Sequence, residues 1–74
     1  MTKTEVVEIF EATARAELEK RNGQVWDTAE MTKEFIPSNF LAPFVMVTRK
    51  SDGVKGMLMF THMPRFYFKF EEVG

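Results

Sequence analysis

The apolar runs FVMVTRK (44–50) and KGMLMFTH (55–62) flank the tetrapeptide SDGV, and this stretch restricts the fold more than any other. From residue 44 onward side chains suit a period of two, the period of a strand. Asp52-Gly53 is a strong hairpin signal, because a primed turn needs positive φ at both central residues. HMPR (62–65) then supplies a second turn, in which Pro64 fixes φ and ends the ladder, and RFYFKF (65–70) is a third strand. A three-stranded antiparallel meander is expected.

The N-terminal part has the helical period. Thr2 and Glu5 have capping-box spacing, and Val6, Ile9, Phe10, Thr13 and Ala14 form one stripe with Val7 at its edge. Glu8, Glu11 and Arg15 lie toward the other side, with Glu11 and Arg15 spaced to pair. EKRNG puts Lys20 and Arg21 at the negative end of the helix dipole, and Asn22-Gly23 stops the helix, which spans about residues 3–21. In VWDTAEMTKEF, Asp27 and Glu30 form a second capping box and Trp26 can staple onto Met31, so a short helix covers about 28–34. Pro37 forbids its continuation, leaving IPSNFLAP as an irregular connector. The expected fold class is α+β: a single domain with a long N-terminal helix packed on the meander and a short helix between.

Alternation along RFYFKF sends Phe66, Phe68 and Phe70 to one face and Arg65, Tyr67 and Lys69 to the other. The phenylalanines suit a core beneath the long helix, so Arg65, Tyr67 and Lys69 are expected on an open face. The first two strands are apolar on both sides, with Phe44 and Met46 opposing Val45 and Val47, and Met57 and Met59 opposing Leu58 and Phe60. One helix covers one face. The second face is then an apolar patch beside Tyr67, Arg65 and Arg49, unless the short helix or the connector covers it, and such patches mark interaction sites. Methionine, tyrosine and arginine are suited to interfaces, although methionine is equally an adaptable core filler.

The chain of 74 residues, with a net charge of −1, has no cysteine and one histidine. A domain this short buries only about 60% of its unfolded surface, so help from association is expected. Disulfides, thiolate chemistry and cysteine-based zinc sites are excluded. The N-terminus is too charged for a signal peptide and no apolar run reaches membrane-spanning length, which predicts a cytoplasmic protein without membrane contact. Charge is unevenly distributed: residues 44–70 carry Arg49, Lys50, Lys55, Arg65 and Lys69 against Asp52 alone, while the remainder is acidic. The basic half suits an anionic partner, or else the two halves neutralise each other in the fold.

Catalysis has no motif here. His62 lies in a turn without a nucleophile or an orienting group spaced to join it, carboxylates are accounted for by caps and solvation, and Gly53 and Gly56 lack phosphate-loop spacing. Neither a metal nor a cofactor is expected. Single-stranded nucleic acid could stack on the aromatic strand beside a cationic tip, but the segment lacks the glycines of RNA-recognition strands. A small anionic ligand such as a nucleotide could be held where His62, Arg65 and Tyr67 converge.

Taken together, WDTAEMTKEF, FLAPFVMVTRKSDGVKGMLMF and HMPRFYFKF resemble short uncharacterised proteins of tailed bacteriophages, over residues 26–70. The resemblance carries no activity and no site residue. It implies a small viral accessory protein in a bacterial host cytosol, acting on a host protein. The function expected is therefore non-enzymatic binding, to a host protein or in a homo-oligomer, through Arg49, Lys50, Lys55, Arg65, Tyr67 and Lys69.

Overall fold

A computed structural model describes residues 2–73. In chain order the elements are α1 (Lys3–Asn22), β1 (Val25–Trp26), α2 (Thr28–Glu34), β2 (Phe35–Leu41), β3 (Phe44–Arg49), β4 (Lys55–Phe60) and β5 (Tyr67–Glu72). The α+β class, the long first helix and the short second helix are as expected; the sheet is larger. It has five strands in the order β1-β5-β4-β3-β2, every neighbouring pair antiparallel.

Both helices begin in the capping boxes read from the sequence. The Glu5 N–H donates to Thr2 Oγ1 and the Thr2 N–H to Glu5 Oε2, each at 3.2 Å. The Glu30 N–H donates to Asp27 Oδ1 at 2.7 Å, and the Asp27 N–H to Glu30 Oε1 at 2.9 Å. Gly23, at φ 81°, ends α1 with its N–H bonded to the Glu19 carbonyl. Arg15 does not take Glu11 as its partner. It reaches the sheet instead, donating to the Val25 carbonyl at 2.8 Å and pairing with Glu30 at 2.7 Å, which fastens α1 to the start of α2. That hydrogen bond, more than the Asp27 N–H, holds the Glu30 carboxyl below its ordinary value, and it raises Arg15.

Two strands occupy segments expected to be irregular or unassigned. The connector containing Pro37 is β2, because β2 is an edge strand, where a missing N–H need not break the sheet. A register shift between Pro37 and Asn39 absorbs the irregularity, and Ser38 Oγ donates to the Met46 carbonyl at 3.2 Å. The two-residue β1 borders the other edge, pairing Val25 with Phe68 and Trp26 with Tyr67. The hairpin forms in the expected place but without a primed turn. Of its loop residues only Gly53 has positive φ (72°), and the Gly53 N–H bonds back to the Arg49 carbonyl at 2.8 Å. This is the four-residue solution to the same connection.

The sheet is strongly curled. Its edge strands would stand about 19 Å apart if five strands lay flat at about 4.8 Å spacing. Yet the rings of Trp26, on β1, and Phe35, on β2, meet edge to face at 5.3 Å. The short α2 joins these two edges and closes the gap. Inside the curl lies the main core of Trp26, Met31, Phe35, Val45, Val47, Leu58 and Tyr67, with Phe60 and Phe70 against it. The expected staple is present in that Trp26 and Met31 share this core. A second, smaller core lies on the convex side, where Val25, Phe66 and Phe68 meet Ala14 and Leu18 of α1, together with Met59.

Two sequence expectations therefore fail on β5. Tyr67 is 2% exposed, a core residue inside the curl and no part of an open face. Phe70 does not share a face with Phe66 and Phe68. Between the pairs Met57↔Glu71 and Met59↔Phe68, β4 spends one residue and β5 two, so β5 bulges, and Lys69 takes φ 59°. The bulge turns Phe70 into the main core, where its ring fills the space left by the absent side chain of Gly56.

Candidate binding surface

The residues first assigned to one basic surface are divided by the fold. Arg49, Lys50 and Lys55 stand at the hairpin tip, whereas Arg65 and His62 stand in the loop before β5, at the opposite end of strands roughly 20 Å long. At the tip, Arg49 grips Asp52 through two hydrogen bonds of 3.0 and 2.7 Å and lies 5.0 Å from the centre of the Phe70 ring. The Arg49 hydrogen bond, then the Val54 N–H, holds the Asp52 carboxyl below its ordinary value. Lys50 Nζ donates to the Thr32 carbonyl at 2.7 Å. These two cations are thus engaged in shaping the tip. Lys55 is exposed beside them, and Lys69 is exposed at the bulge.

At the far end, Arg65 and His62 do converge. The Arg65 guanidinium donates to His62 Nδ1 at 2.9 Å and stacks 4.8 Å above the centre of the Phe60 ring. Tyr67, the third member of that expected ligand group, lies beneath Phe60 in the core and is not available for stacking. What remains is a small cation on an aromatic platform.

The apolar surface expected on the sheet exists on the other face. The inside of the curl is filled, so Phe44, Met46, Met57 and Met59 face outward on β3 and β4. α1 lies chiefly over β1 and β5, and these four side chains are left half-buried or exposed. Leu41, paired with Phe44 on the edge strand, extends the patch at 70% exposure.

A second apolar surface lies on α1. α1 has twenty residues and is about 30 Å long at 1.5 Å per residue, while the body measures about 22 Å across. Only its C-terminal half, through Ala14, Arg15 and Leu18, is packed against the sheet. The molecule is 47 Å long, and the N-terminal half extends away from the sheet, with Glu8, Glu11 and Ala12 across a groove from Thr28, Ala29 and Arg65. On it Val6, Val7, Ile9 and Phe10 are each about half exposed, Phe10 the most at 60%. This half is also poor helix-forming sequence, rich in β-branched Thr4, Val6, Val7, Ile9 and Thr13. Helices of this length are not sustained by propensity alone; an amphipathic face must be packed.

The stripe itself was legible in the sequence, but its role was not. It read as the face that covers the sheet, whereas of its residues only Ala14 packs against the sheet and the others are exposed. Among the described residues no helix is long and apolar enough to cross a membrane. Comparison of the chain with protein-family models, with curated proteins and with solved structures gives no match in any of the three.

Proposed function

We propose that this protein is a non-enzymatic binding domain whose working surface is the projecting half of α1 together with the outward side of β3 and β4. One observation carries the reading. Val6, Ile9 and Phe10 form an apolar stripe on α1 and are each half exposed or more, on the side of the helix turned away from the Glu8 and Glu11 groove. Exposed apolar surface of this kind, bordered by charged residues such as Glu5, Glu17 and Lys69, has the composition of a protein interface with its polar rim. The partner is accordingly a protein. The resemblance of residues 26–70 to bacteriophage proteins supports a host protein, met in a bacterial cytosol, as that partner.

Nucleic acid is the weaker reading. Stacking needs exposed aromatics beside free cations, and Tyr67 is buried while Arg49 and Lys50 are held by Asp52 and the Thr32 carbonyl.

Site-specific photo-crosslinking tests the proposal. A photoreactive phenylalanine analogue at position 10 or 44, in the protein expressed in host cells, is expected to give protein adducts. The same group at position 50, on the hairpin tip, is expected to give few. Adducts at position 50 alone, or to nucleic acid, would overturn the assignment.

A further inference from the structure

We infer that a second copy of this chain occupies the surface, by antiparallel pairing of the two α1 helices about an axis near Phe10. The inference rests on the binding reading above and deepens it by naming an occupant. Arg15 points to the β1 side of the helix, where it meets the Val25 carbonyl, and Glu17 and Arg21 border a groove with Thr61 and Met63 on the β4 side. At 100° per residue, Val6, Phe10 and Thr13 fall on the same side as Glu17. The stripe therefore looks toward the uncovered side of β4 and β3.

A second α1 laid antiparallel against the stripe, centred on Phe10, brings its own projecting half alongside the first helix's packed half. It then lies over Met59 and Phe44. One two-fold contact covers the projecting stripe and the bare strand surface of both copies at once, as an isologous interface requires. The charges agree with this placement. Glu8 and Glu11 stay on the Arg15 side of the helix, across a groove from Thr28, Ala29 and Arg65, and so lie clear of the contact. Centring on Phe10 also sets Lys3 opposite Glu17 of the second copy, both on the stripe side of their helices. Pairing of this kind supplies the packing that the β-branched segment lacks. A foreign protein and a second copy would then compete for the surface.

Sedimentation equilibrium of the purified full-length chain tests the inference, since no other protein is present. The wild type is expected at twice 8.6 kDa, and Val6→Asp with Phe10→Asp at 8.6 kDa. Both sites are exposed in the single chain, so the near-ultraviolet signal of buried Trp26 should persist in the variant. Lys3→Glu should weaken the dimer, and adding Glu17→Lys should restore it. A wild type that stays monomeric up to about 1 mM, a pairing weaker than the roughly micromolar or tighter affinities of standard-size interfaces, would overturn the inference. So would a double variant that still dimerises, or a charge exchange that fails to restore pairing. A monomer that nevertheless gives position-10 adducts to another protein in cells would sink self-pairing and leave the binding reading standing. A monomer with no adducts at positions 10 and 44 would sink both.

Discussion

Tyr67→Ala is expected to unfold the domain. The side chain is 2% exposed and sits among Val45, Val47, Leu58 and Trp26 inside the curled sheet. Truncating a buried aromatic costs about 3–5 kcal/mol. A domain of 74 residues has a total stability of about 4–11 kcal/mol, at about 0.05–0.15 kcal/mol per residue, so this is a large share of it or all of it. Urea denaturation followed by Trp26 fluorescence reads the loss, with Tyr67→Phe as a milder control that keeps the ring. A Tyr67→Ala protein that stays folded while losing a binding partner would restore the open-face role that alternation suggests. Phe68→Ala should be comparably harmful, because Phe68 anchors the convex core under α1. Strand β5 carries core on both faces.

Gly56→Ala is the second substitution with a large expected effect, although it adds a single methyl group. A Cβ at Gly56 would lie 2.5 Å from the Glu71 carbonyl oxygen and 2.5 Å from Cε2 of Phe70. The ring could turn aside, but the carbonyl belongs to the backbone of β5 and cannot retreat without disturbing the β4–β5 ladder. Overpacking of this kind costs about 1–3 kcal/mol. For a domain of this size each kcal/mol lowers the melting temperature by roughly 4–8 °C. Scanning calorimetry checks it. Phe70→Leu in the Gly56→Ala background should recover part of the loss, since it removes the ring contact and leaves the carbonyl contact. Unchanged melting would mean that Phe70 does not rest on Gly56 and that β5 does not bulge there.

These two positions also show where the sequence was readable. Features set by neighbours along the chain came through: the capping boxes of Thr2 and Asp27, the Gly23 stop, both helix spans and the hairpin around Asp52-Gly53. Features set by distant partners did not. The bulge at Lys69 answers a vacancy at Gly56, on the neighbouring strand, so no alternation within RFYFKF could reveal that Phe70 changes face. Gly56 was itself a signal, because glycine inside a strand often marks close approach by another group. Pro37 argued against a strand only while the segment's edge position was unknown. Strand β1 is two residues long and owes its form to β5.

The candidate site was legible in kind rather than in place. An uncovered apolar sheet face followed from strands apolar on both sides, and the structure has one. It lies on the Met57 and Met59 side because the curl and α2 enclose the Tyr67 side. The stripe from Val6 to Ala14 was read in full, but the length of α1 relative to the body decides which part of it finds a partner, and that depends on tertiary geometry. Of the six residues first assigned to binding, Tyr67 belongs to the core, Arg49 and Lys50 shape the hairpin tip, and Lys69 remains beside the surface proposed above.

On the proposed reading the N-terminal half of α1 is held by what binds it, while the other half is held by its own sheet. Amide hydrogen exchange in a dilute solution of the isolated protein measures this directly. The amides of residues 7–10 are expected to exchange close to the rate of an unstructured chain, because local opening there uncovers no buried side chain. Those of residues 15–18, anchored by Arg15 and Leu18, should be protected to nearly the global stability. Equal, strong protection along the whole of α1 at the lowest workable concentration would contradict the account, since the N-terminal half would then need no partner.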